Sequence, residues 1–507
     1  MTEVVLGVVG AGTMGAGIAQ LGCAAGLRTL MHDPVADALQ RGGEAVEGGL
    51  SGWIAKGRTE AAAQERLELA GDLETLAPCD LVIEAAPERP ELKRELFARL
   101  SEICGERAVL ATNTSSIPVT SLARAARRPE NVVGMHFFNP PPLMKLLEVI
   151  RAELTGEAAL ALACEVGRAM DKRVILVADG PGFLVNRCGR PFGAEALRLL
   201  QEGVAGHEEI DRICRMGGGF RMGPFELMDL VGIDVGFEVA QSFTELSFGE
   251  PRWKPSPIQA RMVAAGRLGR KAGRGFYDYS REGPHRPPDP DPPVLGGHNA
   301  AAAAILGAGP LADGLRRRAR EAGLELLDGA PELVIDAGLV PAAGPPGGTP
   351  LVVLCAAGSL AARGQPHAIG FHLLPPLADC GLVELTKLPG APPGAAEAAE
   401  WFFAALGFGH TWVGDAPGLV MGRIACQLVN EACFAVGEGV GGEEDVDLGM
   451  TLGLNHPRGP FAWLEAIGVE HVCTLLDALW RERREERYRT APVLLRRAML
   501  AGWRPPT

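Results

Sequence analysis

A histidine and a glutamate twelve residues apart could form a proton-accepting pair. His136 lies in a short apolar segment, and Glu148 lies within another, residues 146–150. Taken alone, each is more often a structural residue. If the two side chains meet, the carboxylate fixes the imidazole tautomer and favours the imidazolium, which makes His136 a base for an alcohol proton near neutral pH. Hydride transfer from a secondary alcohol needs such a base.

A glycine-rich turn near the start of the chain could bind a dinucleotide. It follows a strand-like apolar run, residues 4–9, and precedes a helix-forming stretch. Gly12 would let the backbone approach a pyrophosphate, whose charge the helix N-terminus attracts. Asp33 ends the next predicted strand, where a carboxylate accepts hydrogen bonds from a ribose 2′-hydroxyl and repels a 2′-phosphate, so NAD is favoured over NADP. The predicted cofactor-binding residues here are Gly10, Gly12, Thr13, Met14, Gly15 and Asp33.

Two further polar residues could orient a reacting oxygen. Ser115 belongs to a hydroxyl-rich stretch, residues 112–116, directly after a predicted strand, and Asn186 opens a helix just after Pro181-Gly182. A turn and a helix end explain these residue types equally well. In a site, a hydroxyl and an amide are the donors that hold a carbonyl or hydroxyl oxygen.

These residues lie in a chain that repeats itself. The string Gly134-Met-His-Phe-Phe-Asn-Pro140 returns as Gly370-Phe-His-Leu-Leu-Pro-Pro376, and the segment 179–187 returns at 415–423, both at an offset of 236. A repeat of this length indicates duplicated domains, since solenoid units recur every few tens of residues. Upstream the offset is larger, so the second copy is the shorter one.

Each half begins with apolar runs that alternate with helical patterns and ends with helical periodicity alone. The 507 residues are enough for about three or four domains. We therefore predict an α/β Rossmann-like NAD-binding domain and an all-α domain, duplicated in the chain, with a degenerate second Rossmann-like unit. A proline-dense linker joins the halves. The predicted segments are 1–180 (Rossmann-like), 181–282 (helical), 283–299 (linker), 300–414 (degenerate Rossmann-like) and 415–507 (helical).

Composition excludes several classes of protein. The formal net charge of −13 disfavours binding to nucleic acid or to an anionic membrane. The longest apolar run, about residues 351–362, is too short to span a bilayer. The eleven cysteines include no Cys-x-x-Cys pair, so we expect neither a metal site nor a disulfide framework, and a reducing cytoplasm fits best.

Four strings in residues 1 to about 282 resemble the L-3-hydroxyacyl-CoA dehydrogenases, an NAD-dependent family of fatty-acid and aromatic-acid degradation. The strings are Asn-Thr-Ser-Ser at 113–116, His-Phe-Phe-Asn-Pro at 136–140, Pro-Gly-Phe-Leu-Val-Asn-Arg at 181–187 and Met-Gly-Pro-Phe-Glu-Leu at 222–227. The similarity covers the whole first half. It implies the reversible oxidation of a (3S)-3-hydroxyacyl-CoA to a 3-oxoacyl-CoA, as in β-oxidation.

The resemblance also assigns roles to residues. His136 would be the general base, Glu148 its orienting partner, and Ser115 and Asn186 would hold the substrate oxygen and the thioester end. Lys56 matches a family lysine that contacts the phosphates of coenzyme A, although a solvated lysine explains it equally well. The further NAD neighbours that the resemblance implies are Glu88, Lys93, Asn139 and Lys271.

The second half keeps His372 and Glu384 at the same spacing but departs from the family elsewhere. Pro375 and Gly422 replace the two family asparagines, and Ala312 replaces the third glycine of the turn. We therefore predict a second unit that no longer turns over. Its helical domain is expected to dock on the first as an internal pseudo-dimer, covering apolar helices that single-copy relatives use to dimerise. Whole chains can still pair as a homodimer.

Two alternatives stay open. The chain could be a dehydrogenase of a free hydroxyacid, of the gulonate dehydrogenase kind, in which Lys56 would have no coenzyme A to hold. It could also be a catalytically idle NAD-binding protein similar to lambda-crystallin, although the set of Ser115, His136, Glu148 and Asn186 disfavours this. Two-copy chains of this size resemble the bacterial 3-hydroxyacyl-CoA or 3-hydroxyadipyl-CoA dehydrogenases of phenylacetate breakdown.

Overall fold

The computed structural model describes residues 4–294, 302–327, 329, 331–340 and 348–504. These residues form two compact units. The first unit contains the described residues up to Arg187 together with Gly439–Leu454, and the second contains those of Cys188–Glu438 and those from Asn455 onward. The five segments predicted from the sequence are a finer division and stay a prediction.

The first unit is built on an eight-stranded sheet. Its strands are β1 (Val5–Val9), β2 (Arg28–His32), β3 (Leu67–Ala70), β4 (Leu81–Glu84), β5 (Val109–Thr112), β6 (Val132–Phe137), β7 (Leu146–Arg151) and β8 (Arg173–Ala178). They lie in the order β3-β2-β1-β4-β5-β6-β7-β8, and only β6 and β7 pair antiparallel. The strand order reverses between β1 and β4, and ligands of doubly wound sheets bind at such a switch point.

Helices cover the faces of this sheet. They are α1 (Thr13–Ala24), α2 (Ala36–Ala55), α3 (Pro90–Ile103), α4 (Val119–Ala123) and α5 (Glu157–Ala169). One core joins strand residues such as Leu6 and Ile83 with Ile18 of α1, Val46 of α2 and Leu160 of α5. Because helices bury the parallel strands, β1 and β4 read in the sequence as continuous apolar runs rather than as alternating ones. The predicted Rossmann-like α/β domain is confirmed.

The chain then becomes helical, as predicted. The helices of this region are α6 (Val185–Gln201), α7 (His207–Gly218), α8 (Pro224–Val231), α9 (Ile233–Leu246) and α10 (Pro257–Ala264). Residues 283–294, the described part of the predicted linker, form neither helix nor strand. They are held to the helical region because Asp289 accepts hydrogen bonds from Arg215, and His285 and Arg286 contact Glu226. Residues 295–299 of the predicted linker lie outside the described residues.

Among the described residues, the second unit has a sheet of six strands. They are β9 (Ala303–Leu306), β10 (Leu333–Asp336), β11 (Leu351–Leu354), β12 (Ile369–His372), β13 (Leu382–Lys387) and β14 (Gly409–Trp412), in the order β14-β13-β12-β11-β10-β9. Only β12 and β13 pair antiparallel. The helices of the second half of the sequence are α11 (Pro310–Glu321), α12 (Ala395–Ala405), α13 (Met421–Gly437), α14 (Glu443–Gly453), α15 (Pro460–Ile467), α16 (Val469–Arg483) and α17 (Pro492–Leu500). Of these, α14 belongs to the first unit and the others belong to the second.

Two equivalent helices pack on sheets from the opposite halves of the sequence. The bounds of α13 are those of α6 shifted by the offset of the sequence repeat, and α14 begins at the position equivalent to the start of α7. Within the first unit α14 contacts β7 and β8, and within the second unit α7 contacts β13. Each helix therefore covers the sheet that the other half of the sequence encodes.

In the part of the chain that the structure describes, no helix combines the length and apolar character needed to cross a bilayer.

Candidate active site

The pairing of β6 with β7 brings the predicted base and its partner together. In this antiparallel register His136 lies opposite Glu148, and the imidazole Nδ1 is 2.6 Å from the carboxylate Oε2. Both side chains are buried. Residues twelve apart in the sequence meet because a loop reverses the chain between the two strands. The carboxylate holds Nδ1, so Nε2 is the nitrogen free to take a proton from a ligand.

The carboxylate of Glu148 is itself fixed by the start of α6. Its Oε1 accepts hydrogen bonds from the backbone N–H groups of Leu184 (3.1 Å) and Val185 (3.0 Å). The positive end of a helix stabilises an anionic carboxylate in this position. Asn186, the next residue, is half-buried at the same helix start. The helix therefore places the predicted amide donor within two residues of the groups that hold the base.

Two phenylalanine rings flank the imidazole. The ring centroid of Phe138 lies 4.6 Å from that of His136, and the centroid of Phe183 lies 5.8 Å from it. Phe183 has a left-handed φ of 51°, which the tight turn before α6 imposes. The two rings restrict the orientation of the imidazole, because close neighbours limit rotation about its side-chain bonds.

Ser115 follows β5 on an exposed turn that Glu88 organises. A carboxylate oxygen of Glu88 accepts hydrogen bonds from the Thr114 hydroxyl (2.5 Å), the Ser115 backbone N–H (3.1 Å) and the Ser116 hydroxyl (3.0 Å). Burial alone would raise the pKa of Glu88, but the Lys93 ammonium and these donors outweigh it and hold that pKa below its usual value. Glu88 is thus an anion that fixes the backbone of the Ser115 turn.

Lys93 is a buried support rather than an exposed ligand. Its Nζ lies 2.6 Å from Glu84 Oε1 and 3.3 Å from Glu88 Oε2, and it donates to the Ala86 carbonyl at 3.2 Å. Glu84 also accepts from the Thr112 hydroxyl at the end of β5. Lys93 therefore holds Glu84 at the end of β4, and Glu84 in turn binds the end of β5.

The glycine-rich turn has the shape that a dinucleotide requires. Gly10 has a φ of 99°, and a Cβ there would lie 2.6 Å from the Ala85 carbonyl oxygen. A Cβ on Gly15 would overlap the carbonyl oxygen of Gly10, whereas one on Gly12, at the start of α1, would meet nothing within 4 Å. The space above Gly12 and the α1 N-terminus, which begins with Thr13 and Met14, fits a pyrophosphate.

Asp33 stands next to this turn at the end of β2. Its carboxylate accepts hydrogen bonds from the Ala11 N–H (2.9 Å) and the Val35 N–H (3.0 Å), and the residue is half-buried. These bonds fix an acid beside the turn, as a contact with a ribose hydroxyl requires. The residues present therefore fit NAD.

Asn139 is exposed on the loop that joins β6 to β7. Pro141 and Pro142 of this loop lie against Gly17 of α1, where a Cβ would be only 3.0 Å from either ring. Beneath the loop, the buried ammonium of Lys172 donates to the carbonyls of Pro141 (2.6 Å) and Met144 (2.7 Å). Asn139 thus sits on a loop held between α1 and a buried cation.

Among the described residues, no contact of the first unit brings Lys56 to this cluster, and Lys271 lies in the second unit. Lys56 is exposed at the C-terminus of α2, close in sequence to Arg58, whose guanidinium lies over the Trp53 ring. Lys271 belongs to the second unit, where its Nζ is 2.7 Å from an Asp234 carboxylate oxygen. Their roles toward coenzyme A and NAD stay predictions.

Several residues that support the site were not predicted from the sequence. Lys172 and Glu84 are charged residues that the structure buries, and Asn113 accepts a hydrogen bond from the Phe137 N–H at 2.8 Å, which ties β6 to the Ser115 turn. Glu84 could have been found, because a carboxylate that ends a fully apolar strand needs a buried cation nearby. Lys172 could not, since its partners are backbone carbonyls and carry no side-chain signature.

The equivalent pair in the second half is arranged differently. His372 lies opposite Glu384 in the register of β12 and β13, yet its Nε2 is 3.3 Å from His471 Nε2. A Cβ at position 422 would overlap the His372 ring, so this ring occupies the place of a side chain at the helix start. Burial, reinforced by His471, lowers the pKa of His372 well below its usual value, and burial raises the pKa of Glu384 to about 8.

An arginine of α11 binds the backbone of the second glycine-rich turn. The Arg316 guanidinium donates to the carbonyls of Ile305 (2.9 Å) and Gly307 (2.7 Å). Beside this turn, Leu326 pairs with Ala303 of β9 in an isolated parallel bridge. Residues 328 and 330, which follow the bridge, lie outside the described residues.

Comparison with family models matches both parts of the chain. Residues 5–180 match the NAD binding domain of 3-hydroxyacyl-CoA dehydrogenase. Residues 182–279 match the C-terminal domain of the same family, and residues 418–503 match that domain again.

Similar proteins cover either the whole chain or its first half. The chain is 36% identical to the 3-hydroxyadipyl-CoA dehydrogenase of Escherichia coli, with 97% of each chain covered. A crystal structure of 3-hydroxybutyryl-CoA dehydrogenase from the same organism superposes with a TM-score of 0.83 at 32% identity, covering 99% of this chain and all of the other. The rat mitochondrial hydroxyacyl-coenzyme A dehydrogenase is 38% identical over 54% of this chain and 90% of its own length.

Proposed function

The chain belongs to the 3-hydroxyacyl-CoA dehydrogenase family, and from that membership we propose which of its groups carry the reaction. The protein is an NAD-dependent oxidoreductase that interconverts 3-hydroxyacyl-CoA and 3-oxoacyl-CoA. We infer the (3S) alcohol as the isomer oxidised.

His136 is the general base of this proposal. Its Nε2 takes the hydroxyl proton of the substrate, and Glu148 orients the ring through Nδ1 and stabilises the imidazolium that forms. Bound NAD supplies the acceptor for the hydride that leaves C3. Ser115 and Asn186 orient the substrate oxygen and the thioester end. The 2.6 Å contact between His136 and Glu148 is the observation that carries the assignment.

The proposed cofactor site lies at the switch point of the first sheet. Gly10, Gly12 and Gly15 shape the turn for the pyrophosphate, and Asp33 accepts from the ribose. Glu88, Lys93, Asn139 and Lys271 are the further proposed neighbours, of which Lys93 acts through the groups that it holds.

An absorbance assay of NADH oxidation with acetoacetyl-CoA tests the proposal. We expect loss of NADH with the thioester and none with free acetoacetate, since Lys56 is proposed to hold the phosphates of coenzyme A. Turnover of the free acid at equal efficiency would favour a hydroxyacid dehydrogenase. The absence of any reaction across a panel of acyl-CoA thioesters, with NADH binding retained, would favour an idle protein. The same panel of thioesters ranks acyl chains of different length by catalytic efficiency. That ranking tests whether the enzyme acts in fatty-acid β-oxidation or in phenylacetate degradation.

We propose that the second half is a degenerate copy that does not turn over. The support is the shared strand order of β9–β14 with β1 and β4–β8, and the constant offset between equivalent helices of the two halves. The altered environment of His372 argues against a second active site. In this proposal, the chain divides into the five segments predicted above.

The helices of the two halves are proposed to form an internal pseudo-dimer. Within the second unit the fully buried Arg423 of α13 pairs with Glu195 of α6 and with Glu202, which directly follows α6. In addition, Arg252 pairs with Glu431. A two-fold interface requires that equivalent residues make similar contacts in both directions. Glu431 occupies the position in the second half that Glu195 occupies in the first. Glu431 pairs with Arg252, and the second carboxylate oxygen of Glu195 faces Arg487. Whole chains can pair in addition.

A further inference from the structure

A segment of the second half packs against the groups that hold the catalytic histidine. The first unit contains Gly439–Leu454, which includes α14, although the rest of the second half belongs to the other unit. The Val440 carbonyl accepts a hydrogen bond from the Ala178 N–H at 2.8 Å, at the end of β8. This segment is therefore a structural part of the first unit.

The glycines of this segment allow close approach to the α6 start. A Cβ on Gly441 would lie 2.9 Å from Leu184 Cδ2, and one on Gly449 would lie 2.7 Å from Val185 Cγ2. Leu184 and Val185 are the residues whose N–H groups bind Glu148. The segment therefore packs directly against the two residues whose backbone fixes the carboxylate that orients His136.

Gly453, at the end of α14, packs against residues of the active site and of the α6 start. A Cβ there would lie 2.9 Å from Leu146 Cδ2, 3.1 Å from Val185 Cγ1 and 3.3 Å from Phe138 Cε1. The Phe138 ring lies beside the imidazole, with its centroid 4.6 Å from that of His136. Helix α14 of the second half therefore packs against both the Phe138 ring and the start of α6, and these two features hold His136 and its partner Glu148.

We propose that the segment Gly439–Leu454 positions His136 and Glu148, so that the second half completes the first-half active site. This inference rests on the proposed function. It gives the non-catalytic half a task in the reaction, because a base must be held within a fraction of an ångström of its productive place.

The sharpest test is a matched pair of substitutions in the full chain, Gly453→Ala and Gly217→Ala. The two glycines are equivalent positions of the sequence repeat, at the same place in α14 and α7, but a Cβ on Gly217 meets nothing closer than the Leu382 carbonyl oxygen at 3.5 Å. We expect Gly453→Ala to lower kcat by about fivefold or more while the Kd for NADH stays unchanged, since the base moves and the glycine-rich turn does not. Gly217→Ala should change neither quantity.

A rescue separates positioning from general destabilisation. Leu146→Val shortens the side chain nearest to the added methyl, so Gly453→Ala combined with Leu146→Val should recover kcat. Phe138→Leu, the residue found at the equivalent position 374, leaves α14 unaltered and should also lower kcat at constant NADH affinity. This variant decides the matter if Gly453→Ala fails to fold.

Equal kcat values for Gly453→Ala and Gly217→Ala would overturn the inference, as would an unaltered Phe138→Leu enzyme. Both results presuppose an active wild-type chain. A wild-type chain that binds NADH but turns over no acyl-CoA would instead overturn the proposed function, and the inference with it.

Discussion

The same two residue types in the same register have different chemistry in the two halves. His136 contacts Glu148 and is flanked by aromatic rings, whereas His372 turns to His471 and lies on the backbone of Gly422. The difference arises from neighbours, because the absence of a side chain at 422 opens a place for the ring. Spacing identified both pairs, but only contacts identify the one that can act as a base.

Replacing the two histidines in turn tests which half of the chain carries the catalytic base. His136→Gln should lower turnover by about a hundredfold or more while NADH binding persists, because glutamine cannot accept the hydroxyl proton. His372→Gln is the matched control and should leave turnover per folded molecule unchanged. Steady-state kinetics together with NADH fluorescence titration measure both. Undiminished turnover of His136→Gln would remove this residue from the mechanism.

The buried ammonium of Lys172 should make stability depend on pH. Burial, with a smaller contribution from Lys145, lowers the pKa of Lys172 to about 8, against 10.5 in the unfolded chain. Between these values the unfolded chain binds more protons, so the penalty for burying the charge is relieved and stability rises with pH. Relative to Lys172→Met, the wild-type chain should gain up to about 3 kcal/mol across this window.

Urea unfolding of both proteins between pH 7 and pH 10.5 measures this difference. The control is Lys254→Met, which removes an exposed lysine outside the β6–β7 loop. A constant difference between wild type and Lys172→Met across the window would contradict the prediction.

At the scale of elements, the two glycine-rich turns differ in the side chains that bind their backbone. A Cβ would meet no atom within 4 Å on Gly12 of the first turn or on Gly309 of the second, so both turns are open at this position. The first turn donates its Ala11 N–H to the Asp33 carboxylate, whereas the Gly307 carbonyl of the second accepts a hydrogen bond from Arg316. The charge beside a turn is therefore decided by neighbouring side chains, and glycines alone do not identify a binding turn.

A methyl group at Gly12 should block the cofactor without disturbing the fold. The backbone there is extended, with φ −71° and ψ −173°, and an added Cβ meets no atom within 4 Å. Gly12→Ala should therefore keep its melting temperature and weaken NADH binding by about tenfold or more, because the pyrophosphate can no longer approach the backbone. Gly48→Ala, at another open glycine, is the control and should bind NADH normally. Normal binding by Gly12→Ala would contradict the proposed site.

At the scale of the molecule, the second half supplies structure that the first half lacks alone. Arg423 is fully buried between Glu195 and Glu202, and the Tyr488 hydroxyl donates to Glu195 at 2.7 Å. Removing one partner from such a cluster leaves buried charge uncompensated. In the first unit, α14 covers part of β7 and β8.

Truncation after residue 285 tests this dependence. The shortened chain exposes the α6 face that carries Glu195 and loses the segment Gly439–Leu454, so we expect it to associate or precipitate and to lose turnover. Size-exclusion chromatography with light scattering and the acetoacetyl-CoA assay compare it with the full chain. A well-behaved, active monomer would rule out the internal pseudo-dimer.

Much of the fold and part of the site followed from the sequence. Strand and helix patterns are local, so apolar runs and the glycine-rich turn located the α/β region and the following helices. The sequence left open whether His136 meets Glu148, and the antiparallel pairing of β6 with β7 brings the two together.

Contacts between distant parts of the chain were decided only by the tertiary structure. The place of α14 on the first sheet, the burial of Lys172 beneath the Asn139 loop and the turning of His372 toward His471 all depend on packing between segments far apart in sequence. Residue types and spacings determine which groups are available along the chain. Packing decides which of them meet, since side-chain shape and burial act across distances that no local pattern encodes.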